Sequence, residues 1–307
     1  MKTKHQLEYG LFRGVIFLIN LLPLPVIMAL TQAIGWLVWV IYPFRLRVTY
    51  SNLSTVFPDM GHPEKIRLLR NVYLQFIRTF GLIAILHRKR IFMMIRDAEI
   101  SGREKLEKAL SQGKGVILTT FHGCWFEAYF AWFNSNNLPV SLIYQQQSNP
   151  LSDAYFIRQR QRYGKSLEHV HSQVGMSFYQ EALEKNRILI VSLDQSFHKG
   201  TVIPFFNRPH SCAKGTAILH LRTKAPVLTS FYYVKNGKFH IDFENVPLPV
   251  YNEINEENIR DISAISIRGY EPFIRKYPEQ WFNLFHRLWS KTEYPDSVPR
   301  TFRQIFF

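Results

Sequence analysis

The chain has 307 residues, enough for one large domain or two small ones with a sizeable core. Its formal net charge of +15 favours anionic partners: phospholipid headgroups, lipid phosphates, an acidic protein or nucleic acid. The 25 phenylalanines fit membrane contact better than a nucleic-acid-binding module, and the basic residues are spread along the chain rather than clustered among aromatics, so no nucleic-acid partner is expected. Two cysteines exclude a disulfide framework, which weakly favours a reducing compartment. The glycine patterns of ATP and NAD sites are absent, so no cofactor is predicted.

The amino-terminal part is apolar, with no charged side chain in residues 14–44. Two prolines divide this stretch, and its longer piece, residues 26–42, barely reaches the roughly 17–25 residues that span a bilayer. Trp and Tyr near one end, followed by arginines, are typical of an interfacial anchor. A signal peptide and a buried core helix are the alternatives, although no small-residue cleavage site closes the stretch. We expect a membrane anchor over residues 1–47 and one α/β domain over 48–307.

The next part is amphipathic, and its pattern predicts a helix over residues 63–78 and a second over 80–90. The second ends in a basic cluster, residues 87–90, which either contacts lipid phosphates or forms an ordinary solvated face. A third helix begins with an N-cap signal at Ser101 and ends near Gly113.

A β-branched run at residues 115–120 predicts a strand buried on both faces of a sheet. His122 follows its end, and residues 124–133 have the length and apolar content of a helix, with Glu127 in its first turns. Within one helix, five steps of about 100° would place His122 and Glu127 on different faces, so His122 must lie in the turn. The Glu127 carboxylate could then accept a hydrogen bond from the imidazole and leave the other nitrogen free as a general base.

Further along the chain, strands and helices alternate. Strands are predicted at 138–144, 187–193, 225–234 and 238–246, the last two around an Asn-Gly turn. Helices are predicted from residue 150 onward and at 175–185, 211–221 and 258–277. Asp194, like His122, ends an apolar strand, where open α/β sheets place their sites. We therefore expect His122 and Asp194 to share a cleft, although a capping role would also explain Asp194.

His122-x4-Glu127 after a β-branched strand resembles the H-x4-D/E motif of the glycerolipid acyltransferase superfamily, and more narrowly the bacterial lipid A biosynthesis acyltransferases. The resemblance covers nearly the whole chain because further blocks follow in order. These blocks are Asn149-Pro150-Leu151 with Asp153, Arg160 and Arg162; Asp194-Gln195 with 202–206 and Arg208-Pro209; Lys214-Gly215; Ala225-Pro226-Val227; and 277–281 with His286-Arg287. Ser196-Phe197-His198 stands where the family usually has a glycine step, which puts acceptor contacts by that loop in doubt.

The resemblance implies a central mixed β-sheet flanked by helices, with the amino-terminal apolar helix as membrane anchor. It implies direct transfer of a fatty acyl chain from acyl carrier protein to a hydroxyl of a phosphorylated lipid A precursor, at the bacterial inner membrane with the active site facing the cytoplasm. His122 and Glu127 would be catalytic. Arg160, Asp194, Gln195 and Lys214 would bind substrate, with Arg160 facing inward and Arg162 at the surface. The anionic membrane would be a further partner.

Other functions and chemistries remain open at this stage. The acceptor could be a lysophospholipid or another glycolipid, or the protein could be a non-catalytic basic membrane-binding protein with this fold. Cys124 lies two residues from His122 and could be a nucleophile. A metal site formed by His122, Glu127, Asp194 and His198 would require a geometry that the sequence does not show, and no metal is predicted.

Overall fold

The computed structural model describes residues 3–172 and 174–289, which form a mixed α/β architecture. The anchor predicted at 1–47 therefore lies almost wholly within the described part, whereas the end of the predicted domain, residues 290–307, lies outside it. The helices are α1 Thr3–Leu21, α2 Leu24–Ile41, α3 Leu46–Val56, α4 His62–Ala84, α5 Lys89–Arg96, α6 Arg103–Leu110, α7 Phe126–Ser135, α8 Pro150–Arg160, α9 Met176–Glu184, α10 Gly215–Thr223, α11 Glu256–Arg268 and α12 Tyr270–Lys276. Short 3₁₀ helices lie at Gln161–Tyr163, Pro278–Gln280 and Phe282–Phe285.

Seven strands form a central mixed sheet, as predicted, and two form a separate hairpin. The sheet order is β1-β9-β8-β2-β5-β3-β4, with all neighbours parallel except the antiparallel pair β8 and β9. The strands are β1 Glu99–Ser101, β2 Val116–Thr120, β3 Val140–Tyr144, β4 Leu167–His171, β5 Ile188–Ser192, β6 Thr201–Phe205, β7 Arg208–Cys212, β8 Val227–Lys235 and β9 Lys238–Asn245.

The centre of the sheet is the apolar core. All five residues of β2 are buried, as the uninterrupted apolar run predicts for a strand covered on both faces. Helix α7 covers one face: the Tyr129 ring stacks 4.3 Å from that of Tyr232 on β8, and Trp132 and Phe133 pack against Phe243 on β9. Neighbouring strands β2 and β5 run parallel in register, with Thr120 opposite Ser192. Their carboxyl ends therefore lie side by side at one edge.

Several predicted helices differ from the observed elements. The helices predicted at 63–78 and 80–90 are replaced by α4, which continues unbroken to Ala84, and by α5, which begins at Lys89. The start of the helix predicted at 211–221 belongs to β7, which pairs with β6, and α10 begins only at Gly215. The helix predicted at 258–277 is two helices, α11 and α12, divided at Gly269. Glycine is a poor helix former, and Pro272 cannot donate a backbone hydrogen bond, so the chain restarts with that proline in the first turn of α12.

The amino-terminal helices expose apolar surface. Helix α1 has no buried residue. Helix α2 packs along α4, where Gly35 lies so close to Leu74 that an added Cβ would be 2.8 Å from its Cδ2. Helix α2 is long and apolar enough to cross a membrane, and only 22% of that span is buried. Helices α4 and α5, which meet at a bend of 109°, are also long and apolar enough when they are taken together as one broken span. The predicted break at the prolines is confirmed by the end of α1 and the start of α2.

Candidate active site

The site is built at the adjacent carboxyl ends of β2 and β5. His122 lies two residues beyond β2, and Asp194 lies two residues beyond β5. Because these strands are parallel and in register, the two residues meet: the distance from His122 Nδ1 to Asp194 Oδ1 is 2.6 Å. The prediction that His122 and Asp194 share one site is confirmed.

Asp194 is fully buried and accepts three hydrogen bonds through its carboxylate. His122 Nδ1 donates to Oδ1, while the His122 backbone N–H at 2.9 Å and Trp281 Nε1 at 2.7 Å donate to Oδ2. Burial alone would raise the pKa of Asp194, but the charge of His122 and these hydrogen bonds outweigh it and hold the pKa below its usual value. An ionised carboxylate can only accept, so in the neutral imidazole the proton is on Nδ1 and the lone pair is on Nε2.

His122 presents its other nitrogen to the outside. The side chain is 35% exposed, and no group in the described residues hydrogen-bonds to Nε2. Gly123 makes the turn after it, where a Cβ would lie 2.7 Å from the Tyr232 ring and 2.8 Å from that of Phe121. The Tyr232 hydroxyl accepts from the Gly123 N–H and donates to the Phe121 carbonyl. These hydrogen bonds fix the backbone of the turn, and Asp194 holds the imidazole from its buried side.

The 3₁₀ segment 278–285 closes the other side of this pair. Its Phe282 N–H donates to the His122 carbonyl at 2.9 Å, and Trp281 reaches Asp194 as described. Asn283 is buried; its Nδ2 donates to the Asp194 carbonyl oxygen at 3.1 Å, and its Oδ1 accepts from Gln195 Nε2 at 3.0 Å. Sequence reasoning assigned no role to Trp281 or Asn283. The only available signal was the place of Trp281 in the last block of the family resemblance.

Glu127 has a different partner from the one predicted. Its carboxylate accepts two hydrogen bonds from Arg160, 2.9 Å from Nε and 2.6 Å from Nη2, and both side chains are nearly buried. Burial alone would lower the pKa of Arg160, but the charge and hydrogen bonds of Glu127 raise it overall. The predicted hydrogen bond from His122 to Glu127 is therefore wrong. Glu127 lies in the first turn of α7 facing α8, whereas the strand register brings Asp194 to the imidazole.

The Glu127–Arg160 pair lines two cavities, of about 220 Å³ and about 70 Å³. Phe80, Ile83 and Phe156 line both, so an ion pair lies against an apolar wall. Such a site can hold an apolar chain and one anionic group next to the guanidinium. The larger cavity also contains Tyr144, Gln145, Gln147 and Asp153.

The remaining predicted site residues occupy different positions relative to the His122–Asp194 pair. Arg160 faces inward and Arg162 is exposed, as predicted. Gln195 is exposed and bonded to Asn283, beside the His122–Asp194 pair. Lys214 is bonded to Glu256 at the start of α11 and is not part of that pair's hydrogen-bond network. Asp194, predicted to bind substrate, is fully covered by protein, and its carboxylate accepts hydrogen bonds from His122 and Trp281.

Two alternative chemistries do not fit the geometry. Cys124 is buried, and burial raises the pKa of its thiol to about 12, so the reactive thiolate is disfavoured. Three of the four candidate metal ligands are divided between two pairs, His122 with Asp194 and Glu127 with Arg160. In the described part of the chain, no group of three or more His, Cys, Asp or Glu residues is placed to hold a metal ion.

A histidine with a buried carboxylate on Nδ1 and an open Nε2 is suited to remove a proton from a hydroxyl. Comparison with known proteins agrees with the sequence motifs. The chain is 23% identical to "Lipid A biosynthesis acyltransferase" of Haemophilus influenzae over 94% of this chain and 90% of that protein. It is 23% identical to "Lipid A biosynthesis lauroyltransferase" of Escherichia coli, over 93% and 92% respectively. The family described as bacterial lipid A biosynthesis acyltransferase matches residues 2–291, and the chain therefore belongs to this family of acyltransferases.

Proposed function

We propose that this protein transfers a fatty acyl chain from an acyl carrier protein thioester to a hydroxyl of a phosphorylated lipid A precursor at a membrane. The acceptor hydroxyl is that of a 3-hydroxyacyl chain already on a phosphorylated glucosamine disaccharide. Family membership supports an acceptor of the lipid A type. The observation that carries the mechanism is the hydrogen bond from His122 to buried Asp194, which leaves Nε2 open.

In this proposal His122 is the general base. Nε2 takes the proton of the acceptor hydroxyl as its oxygen attacks the thioester carbonyl carbon. The new C–O bond forms, the tetrahedral intermediate collapses with cleavage of the C–S bond, and the imidazolium returns its proton to the departing thiolate. Asp194 stabilises the imidazolium and holds the reactive tautomer. Transfer is direct, without an acyl-enzyme, which agrees with the inert environment of Cys124.

Glu127 and Arg160 act as a second unit. The guanidinium, 12% exposed at the wall of the 220 Å³ cavity, is the proposed binding group for the oxyanion or a substrate phosphate. Glu127 keeps that cation in place with two hydrogen bonds. Gln195, exposed beside Asn283, is a proposed acceptor contact. Lys214, 29% exposed and paired with Glu256, is a proposed peripheral contact for phosphate.

Membrane association is supported by the amino-terminal helices and the charge. Helix α2 is long enough to cross a membrane, and α1 exposes Leu7, Leu11 and Phe17. The formal net charge of +15 attracts both an anionic bilayer and an acidic carrier protein. We therefore place the protein at the bacterial inner membrane, with the active site facing the cytoplasm and residues 1–47 as anchor.

The test supplies the detergent-solubilised protein with labelled acyl carrier proteins of several chain lengths and a panel of acceptors, and follows products by mass spectrometry. Acylation of the phosphorylated disaccharide is expected, with loss in His122→Ala and retention in the exposed loop control His198→Ala. Acylation of lysophospholipids alone would overturn the acceptor. No transfer to any acceptor, together with tight vesicle binding, would indicate a non-catalytic membrane-binding protein.

A further inference from the structure

A large cavity lies apart from the proposed reaction centre. It has a volume of about 690 Å³ and lies among α2, α4, α5 and the β8–β9 hairpin. A volume of this size is in the range of about 300–1,000 Å³ that holds small-molecule ligands. Towards Glu127 the next cavity, lined by Cys124 and Trp125, measures only about 10 Å³, close to the space of one water. This narrow cavity separates the large cavity from the Glu127–Arg160 pair.

The wall of this cavity is amphiphilic. Its apolar part contains Met28, Leu82, Ile91, Met94 and Trp125. Trp125 is 9% exposed, and its buried indole N–H has no hydrogen-bond partner in the described residues. The cavity thus offers a surface for hydrocarbon.

The charged part of the wall is basic. Three cations, Arg78, Arg90 and Lys238, face one carboxylate, Asp97. Lys238 is paired with Glu99, and Asp97 is paired with Arg96. Arg78 and Arg90 are exposed and have no ion-pair partner in the described part of the chain. Two arginines without a carboxylate, next to an apolar hollow, complement a phosphate attached to a hydrocarbon chain.

The position of the cavity indicates where that phosphate comes from. Leu24 and Met28, in the first turns of α2, line it, and α2 is the helix that is apolar and long enough to cross a membrane. The arginines therefore lie at the level where an apolar helix would enter the bilayer, which is the level of lipid headgroups.

We propose that this cavity binds one anionic glycerophospholipid of the surrounding bilayer, distinct from donor and acceptor. Its phosphate lies between Arg78 and Arg90, and one acyl chain enters between Met28, Met94 and Trp125. The bound lipid joins α2 to the α4–α5 corner and fixes the domain on the membrane surface.

The test uses native mass spectrometry of the full-length protein in detergent, titrated with phosphatidylglycerol and, separately, with phosphatidylcholine of the same acyl chains. Wild-type protein is expected to bind one phosphatidylglycerol, and the double variant Arg78→Gln/Arg90→Gln to bind it at least about tenfold more weakly. The matched control Arg67→Gln/Lys89→Gln removes the same charge from exposed positions of α4 and α5 outside the cavity and is expected to bind normally. Met94→Trp fills the hollow without changing charge and is expected to weaken binding.

Several outcomes would overturn the proposal. Equal binding of phosphatidylcholine would remove the anionic requirement, and equal loss in both double variants would show a non-specific charge effect. Displacement by inorganic phosphate alone would indicate a free-anion site, and displacement by acyl carrier protein thioester would indicate the donor's pocket. His122→Ala is expected to bind phosphatidylglycerol like the wild type, so failure of the proposed reaction and failure of this lipid site give different results.

Discussion

Asp194→Asn tests the link between the buried carboxylate and the imidazole. The substitution keeps the size of the side chain but replaces one acceptor oxygen by an NH₂ group. At present Oδ2 accepts from two fixed donors, the His122 backbone N–H and Trp281 Nε1. The asparagine therefore places its oxygen there and turns its NH₂ towards His122 Nδ1. That group can bond only to a lone pair, so the imidazole changes tautomer and its proton moves to Nε2.

The size of the effect follows from this tautomer. An imidazole protonated at Nε2 cannot accept the proton of the acceptor hydroxyl, and general-base catalysis contributes about 10²–10⁴ in rate. Carboxylate-to-amide replacement in a comparable His–Asp pair costs about 10⁴ in kcat. We expect kcat to fall about 10³–10⁴-fold, equivalent to roughly 4–5.5 kcal/mol of transition-state stabilisation. KM should change little, because Asp194 is fully covered by protein.

The assay measures initial rates with acyl carrier protein thioester and the phosphorylated acceptor, with thermal unfolding as a control for folding. The isosteric variant Glu127→Gln provides the comparison: it keeps the His122–Asp194 pair and should retain the proton-transfer step, although Arg160 is held less firmly. A rate for Asp194→Asn within tenfold of the wild type, in a folded protein, would refute the role of Asp194. A greater loss in kcat for Glu127→Gln than for Asp194→Asn would restore the sequence-based dyad.

Four further outcomes are expected. Glu127→Leu leaves the Arg160 guanidinium buried without its partner and should lower the free energy of unfolding by about 3–5 kcal/mol. The double variant Glu127→Leu/Arg160→Met should recover most of that stability in denaturant titrations. An equal loss of stability in the single and the double variant would contradict this coupling. Cys124→Ala should keep kcat within about threefold, because a thiol with a pKa near 12 is protonated; a hundredfold loss would restore the nucleophile. Burial and, to a smaller extent, the charge of Arg160 lower the pKa of His169 to about 4. Between pH 6.5 and 4 the unfolded chain therefore binds more protons than the folded protein does. The free energy of unfolding should fall over that range by up to about 2 kcal/mol after allowance for solvent screening, and His169→Phe should flatten this slope; an unchanged slope would contradict the assignment. Trp281→Phe removes a hydrogen-bond donor to the Asp194 carboxylate and should raise the pKa of that carboxyl group. The acidic limb of the kcat–pH profile should then shift to higher pH. A fall in kcat at every pH without such a shift would indicate a purely structural role for Trp281.

Much of the fold follows from local patterns. The apolar runs predicted the strands at 116–120 and 188–192, and a histidine and an aspartate beyond their ends predicted a shared site. The Asn-Gly turn predicted the β8–β9 hairpin. These features depend on neighbouring residues and on the preference of buried strands for β-branched side chains, which a single sequence displays directly.

The pairing within the site could not be obtained this way. Spacing along the chain favoured Glu127 as the partner of His122, but the register of β2 and β5 places Asp194, 72 residues away, on Nδ1. Glu127 is instead held by Arg160, 33 residues away, and Trp281 completes the site from 87 residues beyond Asp194. The sequence alone determined which chemical groups stand at the ends of the strands. Which carboxylate supports the base was decided only by tertiary structure, because it depends on strand order, register and the packing of α8 against α7.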